Sequence, residues 1–286
     1  TLCIFISQSG ETADTIAALK LSKEKEVVTI TREIDAMQSL KGKVAVIIGG
    51  SGGIGLSIAK IFNDSGCKVI LCGTNIKKLE KSLETFSNSK NVSPMVFNIA
   101  DIEKIRDNVE KAYSIFGDVD ILVNSAGVHT ENADFFSMTS EEFDRVMNIN
   151  IKGVYFTCKE FALEMKKKQG KDKKHILLVS SSRGAEPAWS PYGISKWSLN
   201  GFTQGLAQIL LPSNIIVNSI APGSTATELI GVKEGDNIFS EENGNGRLIM
   251  PDEVANVAKL LVSPSGDMIV GQTIYVSGGR GVFDIR

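Results

Sequence analysis

A doubly wound α/β sandwich around a mostly parallel seven-stranded sheet is the fold this sequence predicts, on three observations. From about residue 40 onwards, short apolar runs alternate with amphipathic helical stretches, the pattern of parallel strands joined by helical crossovers. The first run, Val44 to Ile48, is continuous and mostly β-branched, as a strand covered on both faces requires. It leads directly into Gly49-Gly50-Ser51-Gly52-Gly53-Ile54-Gly55, which opens a helix.

The elements follow in order. Helices are expected over Ile54 to Asp64, Lys77 to Phe86 and Ile102 to Phe116, with strands at Val69 to Cys72, Met95 to Asn98 and Ile121 to Asn124 between and after them. Ser140 is placed to cap a helix running to Ile149, and a longer helix is expected from about Gly153 to Lys168. Ile176 to Ser180, Ile215 to Ile220 and Thr273 to Val276 complete the strands, separated by helices at Tyr192 to Leu211 and Asp252 to Val262, the latter capped near Pro251. Glu228 to Met250, rich in Gly, Glu and Asn, is the longest interruption and reads as a lid or binding loop. Past Leu40 there is no internal repeat and no domain boundary.

Composition narrows the function classes. With 286 residues, 42% of them hydrophobic, the chain can bury a full core, and its length suits one large α/β domain plus an appendage. A formal net charge of −2 gives no field for nucleic acid or an anionic membrane, and the basic run from Lys166 to Lys174 reads as a solvated helix end. Cys3, Cys67, Cys72 and Cys158 form no C-x-x-C pair and have no His at metal spacing, so neither a metal site nor a disulfide framework is expected. A reducing cytoplasm is the simplest location. The apolar start, Leu2 to Ile6, is too short for a signal peptide or a membrane span.

Between a strand and a helix, a glycine turn lets backbone approach a pyrophosphate, so Gly49, Ser51, Gly52, Gly53, Ile54 and Gly55 are expected to hold a dinucleotide. The end of the second strand decides which one, because an acid there grips the ribose 2′-hydroxyl of NAD and repels a 2′-phosphate. Here the chain reads Cys72-Gly73-Thr74-Asn75-Ile76-Lys77-Lys78, without an acid. Thr74, Asn75 and the ammonium groups suit a phosphate better, so NADP(H) is favoured and NAD(H) remains an alternative.

Reducing a ketone needs a proton donor at its oxygen, and a tyrosine of pKa near ~10 is a poor one unless something lowers that value. A lysine four residues on shares its helix face, and its charge favours the phenolate. Tyr192-Gly193-Ile194-Ser195-Lys196 has this spacing.

Together these motifs, in this order, make residues 40 to 286 resemble the short-chain dehydrogenase/reductase family in its compact, Rossmann-type form, similar to 3-oxoacyl-acyl-carrier-protein reductases. The family's T-G-x-x-x-G-x-G turn falls on Ile48 to Gly55, with Ile48 in place of threonine. Its N-N-A-G segment appears as Asn124-Ser125-Ala126-Gly127, and its adenine-contacting acid as Asn98, beside Ile99. The resemblance implies that Asn150 holds a proton-relay water and that Ser181, followed by two residues and Gly184, orients the substrate oxygen. Ser180 remains an alternative to Ser181. It further implies that Tyr192 donates the proton, that Lys196 lowers its pKa and bonds the ribose, and that Pro222, Gly223, Thr225 and Thr227 form the loop at the nicotinamide. Asn218 and Gly278-Gly279 also fit the pattern.

Thr1 to Thr12 is a strand running into a hydroxyl-rich turn, followed by a helix from Ala13 to Lys25, and resembles a fragment of the sugar-phosphate isomerase domain of glucosamine-6-phosphate synthase. Ser7, Gln8, Ser9 and Thr12 would match its phosphate-binding positions. Residues 1–39 are too few to bury a core and are expected to be a fragment or appendage from a fusion or a gene boundary, with Met37 near an ancestral start. The expected function is hydride transfer between a nicotinamide and a small carbonyl/alcohol substrate by a homodimer or homotetramer, with no nucleic acid, membrane or metal involved. Amino-sugar or nucleotide-sugar chemistry, a non-catalytic dinucleotide-binding regulator and a sugar-phosphate isomerase or sensor are the alternatives. Specificity is expected in Glu228 to Met250 and His129 to Phe136, with Trp189 as a wall.

Overall fold

The computed structural model describes residues 39–131, 134–168, 172–232 and 235–281. The isomerase-like fragment, with Ser7, Gln8, Ser9 and Thr12, lies outside the described residues. Seven strands form one sheet: β1 (Val44–Ile48), β2 (Lys68–Gly73), β3 (Val92–Val96), β4 (Ile121–Asn124), β5 (Lys174–Val179), β6 (Ile215–Pro222) and β7 (Thr273–Val276). They lie in the order β3-β2-β1-β4-β5-β6-β7, and every pairing is parallel. The chain winds outward from β1 to β3 and then crosses back to β4. The ends of β1 and β4 therefore form a switch point, where open α/β sheets leave a crevice.

Alternation along the strands separates two core layers. Val44, Val46 and Ile48 of β1 face one layer, and Ala45 and Ile47 face the other. Helices α1 (Gly53–Asp64), α2 (Ile76–Leu83) and α7 (Pro251–Val262) cover the second through Ile58, Phe62, Leu79, Val254 and Leu261. Helices α3 (Ile105–Phe116), α5 (Val154–Lys167) and α6 (Pro191–Leu210) cover the first through Val109, Phe161 and Leu199. Cys67, Cys72 and Cys158 are buried in these layers, where burial pushes each thiol well above its ordinary range. Among the described residues no helix is long and apolar enough to cross a membrane.

Three local expectations need correction. Strand β3 begins at Val92, not Met95, because pairing of Val92 with Val69 and Pro94 with Leu71 recruits residues of weak strand composition. Pro94 is tolerated since β3 is an edge strand. Helix α4 (Ser140–Met147) is capped by Thr139, whose hydroxyl accepts from the Glu142 amide at 3.2 Å, rather than by Ser140. Between α4 and α5 the chain forms a π-helical segment, Asn148–Gly153, that period-3.6 patterning does not reveal.

The π segment meets the loop after β3 closely at Gly153, where a Cβ would lie 2.5 Å from the Ile99 carbonyl oxygen. Gly153→Val should therefore cost about 1–3 kcal/mol through overpacking. In thermal denaturation this appears as a lowered Tm, and an unchanged Tm would show that the Ile99 backbone yields.

Candidate active site

A cavity of about 970 Å³ opens at the carboxyl ends of β1, β4, β5 and β6. Its floor is the glycine turn. Gly49 adopts φ 77°, and a Cβ there would fall 2.7 Å from the Ala126 amide nitrogen, so the loops after β1 and β4 can touch only through a glycine. At Gly53 a Cβ would come 2.5 Å from Cγ2 of Thr227, which seats the loop after β6 on the turn. The N-cap of α1, Gly52, offers no side-chain hydrogen bond, which leaves first-turn amides for an anion. A glycine cradle, free amides and a roomy cleft fit a dinucleotide.

Most residues expected to hold the cofactor line this cavity. They are Gly49, Ser51, Gly52, Gly53, Ile54 and Gly55 from the turn, Thr74 after β2, Asn98 and Ile99 after β3, Ala126 and Gly127 after β4, and Pro222, Gly223, Thr225 and Thr227 after β6. Asn75 does not line it; its Oδ1 caps α2 by accepting from the Lys78 amide at 3.1 Å. Asn124 is buried behind the wall at the end of β4, and its amide has no hydrogen-bond partner among the described residues. Asn98 Oδ1 accepts from the Ala100 amide at 3.0 Å, which keeps one lone pair of that oxygen for another donor.

Helix α6 delivers the polar centre. Ser190 caps it, accepting from the Gly193 amide at 3.2 Å, and Pro191 fits the first turn. Tyr192 and Lys196 follow one turn apart and both line the cavity. Ser181, just past β5, lines the cavity beside Tyr192, and its Oγ accepts from the Arg183 amide at 3.2 Å. Ser180 turns the other way, donating to the Lys196 carbonyl at 3.2 Å and Asn200 Oδ1 at 2.7 Å. The Lys196 ammonium donates to the Val179 carbonyl at 2.9 Å and lies 5.5 Å from the centre of the Tyr192 ring. The His129 ring stacks on Tyr192 with centroids 4.1 Å apart.

Burial governs the charge states. It pushes the Tyr192 phenol above its ordinary value, opposed by the Ser181 hydrogen bond and by the charges of Arg183 and Arg280. It draws the Lys196 ammonium down to about 8. Burial, helped by Lys196 and Arg183, also lowers His129, so a neutral imidazole covers the tyrosine at neutral pH.

Asn150 stands outside the cavity wall, in the π segment. Its Oδ1 accepts from the Val128 amide at 2.9 Å, and its Nδ2 donates to the Val128 carbonyl and to Ser195 Oγ, each at 3.0 Å. Ser195 in turn donates to the Tyr192 carbonyl at 2.7 Å. Asn218 ties β6 to the approach of β7 by donating to the Ile269 carbonyl and accepting from the Gln272 amide.

Sequence reading did not find the charged wall. Arg183 and Arg280 both bind Glu186, and Arg280 also binds Glu242; Arg183, Glu242 and Arg280 line the cavity. Lys78 and Glu228, also on the wall, face each other at 3.4 Å. Two arginines close to motif positions, one after the serine run and one after Gly278-Gly279, were the available signal.

The two serines can be separated. Ser181→Ala should lower carbonyl turnover by roughly tenfold to a hundredfold with cofactor binding retained. Ser180→Ala should keep turnover within about threefold while costing about 1 kcal/mol of stability. The reverse pattern would transfer the role to Ser180.

Comparison with known proteins agrees with this geometry. The family model described as short chain dehydrogenase matches residues 43–237. The 3-oxoacyl-(acyl-carrier-protein) reductase of Aquifex aeolicus is 32% identical over 247 residues, covering 84% of this chain and 98% of the relative. A 3alpha-hydroxysteroid dehydrogenase of Mediterraneibacter gnavus is 30% identical over 247 residues, covering 84% and 97%. The crystal structure of 3-ketoacyl-(acyl-carrier-protein) reductase from Brucella melitensis complexed with NADH superposes with a TM-score of 0.77 at 31% identity, covering 85% of this chain and all (100%) of that one. The isomerase likeness expected for the first thirty residues is not borne out by these matches. The chain thus belongs to the short-chain dehydrogenase family and is a nicotinamide-dependent oxidoreductase acting on a carbonyl/alcohol pair.

Proposed function

We propose that this enzyme is an NADP(H)-preferring reductase of small carbonyl substrates, in which Tyr192 is the proton donor, Ser181 orients the substrate oxygen, and Lys196 and Asn150 support the proton's replacement. The observation that carries the reading is that Ser181, Tyr192 and Lys196 line one cavity wall, with the buried lysine 5.5 Å from the centre of the tyrosine ring. When bound, the nicotinamide supplies the hydride. The glycine turn and Thr227 would hold it, and the remaining chemistry falls to the chain.

A carbonyl oxygen placed between the two hydroxyls accepts from both, which polarises the carbonyl before the proton moves. Tyr192 then yields its proton to the alkoxide. The positive charge of Lys196 favours the resulting phenolate, and an ammonium titrating near 8 can also return a proton at neutral pH. Asn150, braced against Val128 and Ser195, fixes the corner through which that proton is replaced.

Preference for NADP(H) rests on the absence of an acid at the end of β2 and on Lys78 at the cavity wall, where a 2′-phosphate would compete with Glu228 for the ammonium. Exposed Tyr155, Leu163, Trp197 and Ile209 on α5 and α6 support a homo-oligomer joined through those helices. A cytoplasmic location is part of the same reading. Thioesters are a second substrate reading, favoured by the names of the reductases quoted above.

The function is tested by following NADPH oxidation against a carbonyl panel. Wild type should reduce at least one member, and Tyr192→Phe should lose turnover by a thousandfold or more, on the order expected for a proton donor, with NADPH affinity kept. Retained turnover would refute the assignment. Lys78→Glu should shift the NADPH/NADH ratio of kcat/KM towards NADH by tenfold or more, about 1.4 kcal/mol; an unchanged ratio would remove Lys78 from cofactor choice. Because the phenol sits above its ordinary value, its proton-donating form prevails at neutral pH. Alcohol oxidation, which needs the phenolate, should therefore gain kcat/KM as pH rises from about 7 to 9, by up to about tenfold per unit. A flat oxidation profile would contradict this.

A further inference from the structure

We propose that Arg280 is the specificity residue of the substrate end of the cavity, and that it selects substrates carrying a carboxylate close to the reacting carbonyl. The inference rests on the reading of this cavity as the reductase site and names the class of molecule that enters it.

The formal charges on the cavity wall are Lys78, Arg183, Lys196 and Arg280 against Glu228 and Glu242. Lys78 and Glu228 face each other. At the other end Arg183 and Arg280 share Glu186 behind the wall, and Arg280 alone also binds Glu242. Keeping the Arg280 guanidinium largely enclosed costs desolvation, which a cavity meant only for neutral ketones would not require.

Tyr192, Arg183 and Arg280 line the same cavity, so a carboxylate held on either arginine shares that cavity with the proton donor. The two are not equivalent. The Arg183 side chain is 53% exposed, whereas that of Arg280 is 15% exposed, and a desolvated guanidinium discriminates more strongly between a charged and a neutral partner.

A carboxylate already sits on this arginine. Arg280 Nε donates to Glu186 at 3.0 Å, while its Nη1 donates to Glu242 at 2.7 Å and to Ser224 Oγ at 2.9 Å. Ser224 also donates to the same Glu242 carboxylate. Arg280 and Ser224 thus form a two-point receptor for one carboxylate. Glu242, whose side chain is 63% exposed, is delivered to it by the loop between Glu228 and Met250. Asn243 anchors that loop independently, donating to the Ser224 and Arg247 carbonyls. Glu242 can therefore leave without releasing its neighbour. A substrate carboxylate would take its place on Arg280 and Ser224, with the loop still seated over the site.

Acetoacetate and methyl acetoacetate test this, since they differ in the one charge at issue. Their affinities are measured by titration into the enzyme–NADP+ complex, which binds a ketone without turning it over. Wild type should bind acetoacetate at least tenfold tighter than its ester. Arg280→Met should erase that difference by weakening the acid alone, Arg280→Lys should keep part of it, and Glu242→Gln should tighten the acid several-fold while leaving the ester unchanged. Equal affinity of the pair for wild type, or equal loss of both in Arg280→Met, would overturn the proposal. Should Arg280→Met fail to fold, Glu242→Gln decides alone, and an unchanged acid/ester ratio overturns it. Failure of the reductase reading is distinguishable, because it shows as absent NADPH binding or as no NADPH-dependent turnover of either compound.

Discussion

The Asn150 carboxamide accepts from the Val128 amide and donates to both the Val128 carbonyl and the Ser195 hydroxyl, so the loop after β4 and helix α6 are held at a fixed separation. The polar groups on that loop and on the first turns of α6 depend on that brace. The loop carries His129, which stacks on Tyr192, and Thr130, whose hydroxyl accepts from the Tyr192 amide at 3.0 Å. Helix α6 carries Tyr192 and Lys196. The brace is available only because the chain widens into a π-helical segment at Asn148–Gly153, which lets the glycine at its end press on Ile99. A buried amide with three good hydrogen bonds is worth more to the site than its own stability, since it fixes groups whose positions decide the chemistry.

The same burial that positions these groups sets their acidity. Lys196 has little access to water, and its ammonium is drawn down to about 8 while it donates to the Val179 carbonyl. The tyrosine phenol moves the opposite way for the same reason, because burial disfavours whichever form is charged. The charges that oppose this at the phenol come from Arg183 and Arg280, which sequence spacing alone would have assigned to Lys196. Both guanidinium groups lie on the cavity wall, and neither belongs to α6.

Much of the fold was legible because it rests on periodicity. Continuous β-branched runs such as Val44–Ile48 mark strands covered on both faces, and the helices between them show their buried stripes. What escaped was set by partners distant in sequence. Strand β3 extends back to Val92 only because β2 pairs with it, and Ser93-Pro94 conceals this. The cap of α4 fell on Thr139 because capping follows backbone geometry, and two hydroxyl residues stood side by side. Within the site, Tyr192 and Lys196 were readable from their spacing, and Ser181 from its distance to Gly184, although only the structure shows Ser180 turned towards Asn200. Glu186, Glu242 and Arg280 come from three separate segments and share no local pattern, so their convergence had no sequence signature.

In the proposed mechanism hydride and proton reach one carbonyl from different sources, with Tyr192 on the oxygen side. Reduction of a turned-over ketone with NADPH dideuterated at C4 in ordinary water, and with unlabelled NADPH in D2O, separates the two sources by mass spectrometry and NMR of the alcohol. Deuterium should appear on the carbinol carbon in the first experiment and be absent from that carbon in the second. A deuterium-free carbinol carbon from labelled NADPH, or solvent deuterium fixed on that carbon, would contradict the account.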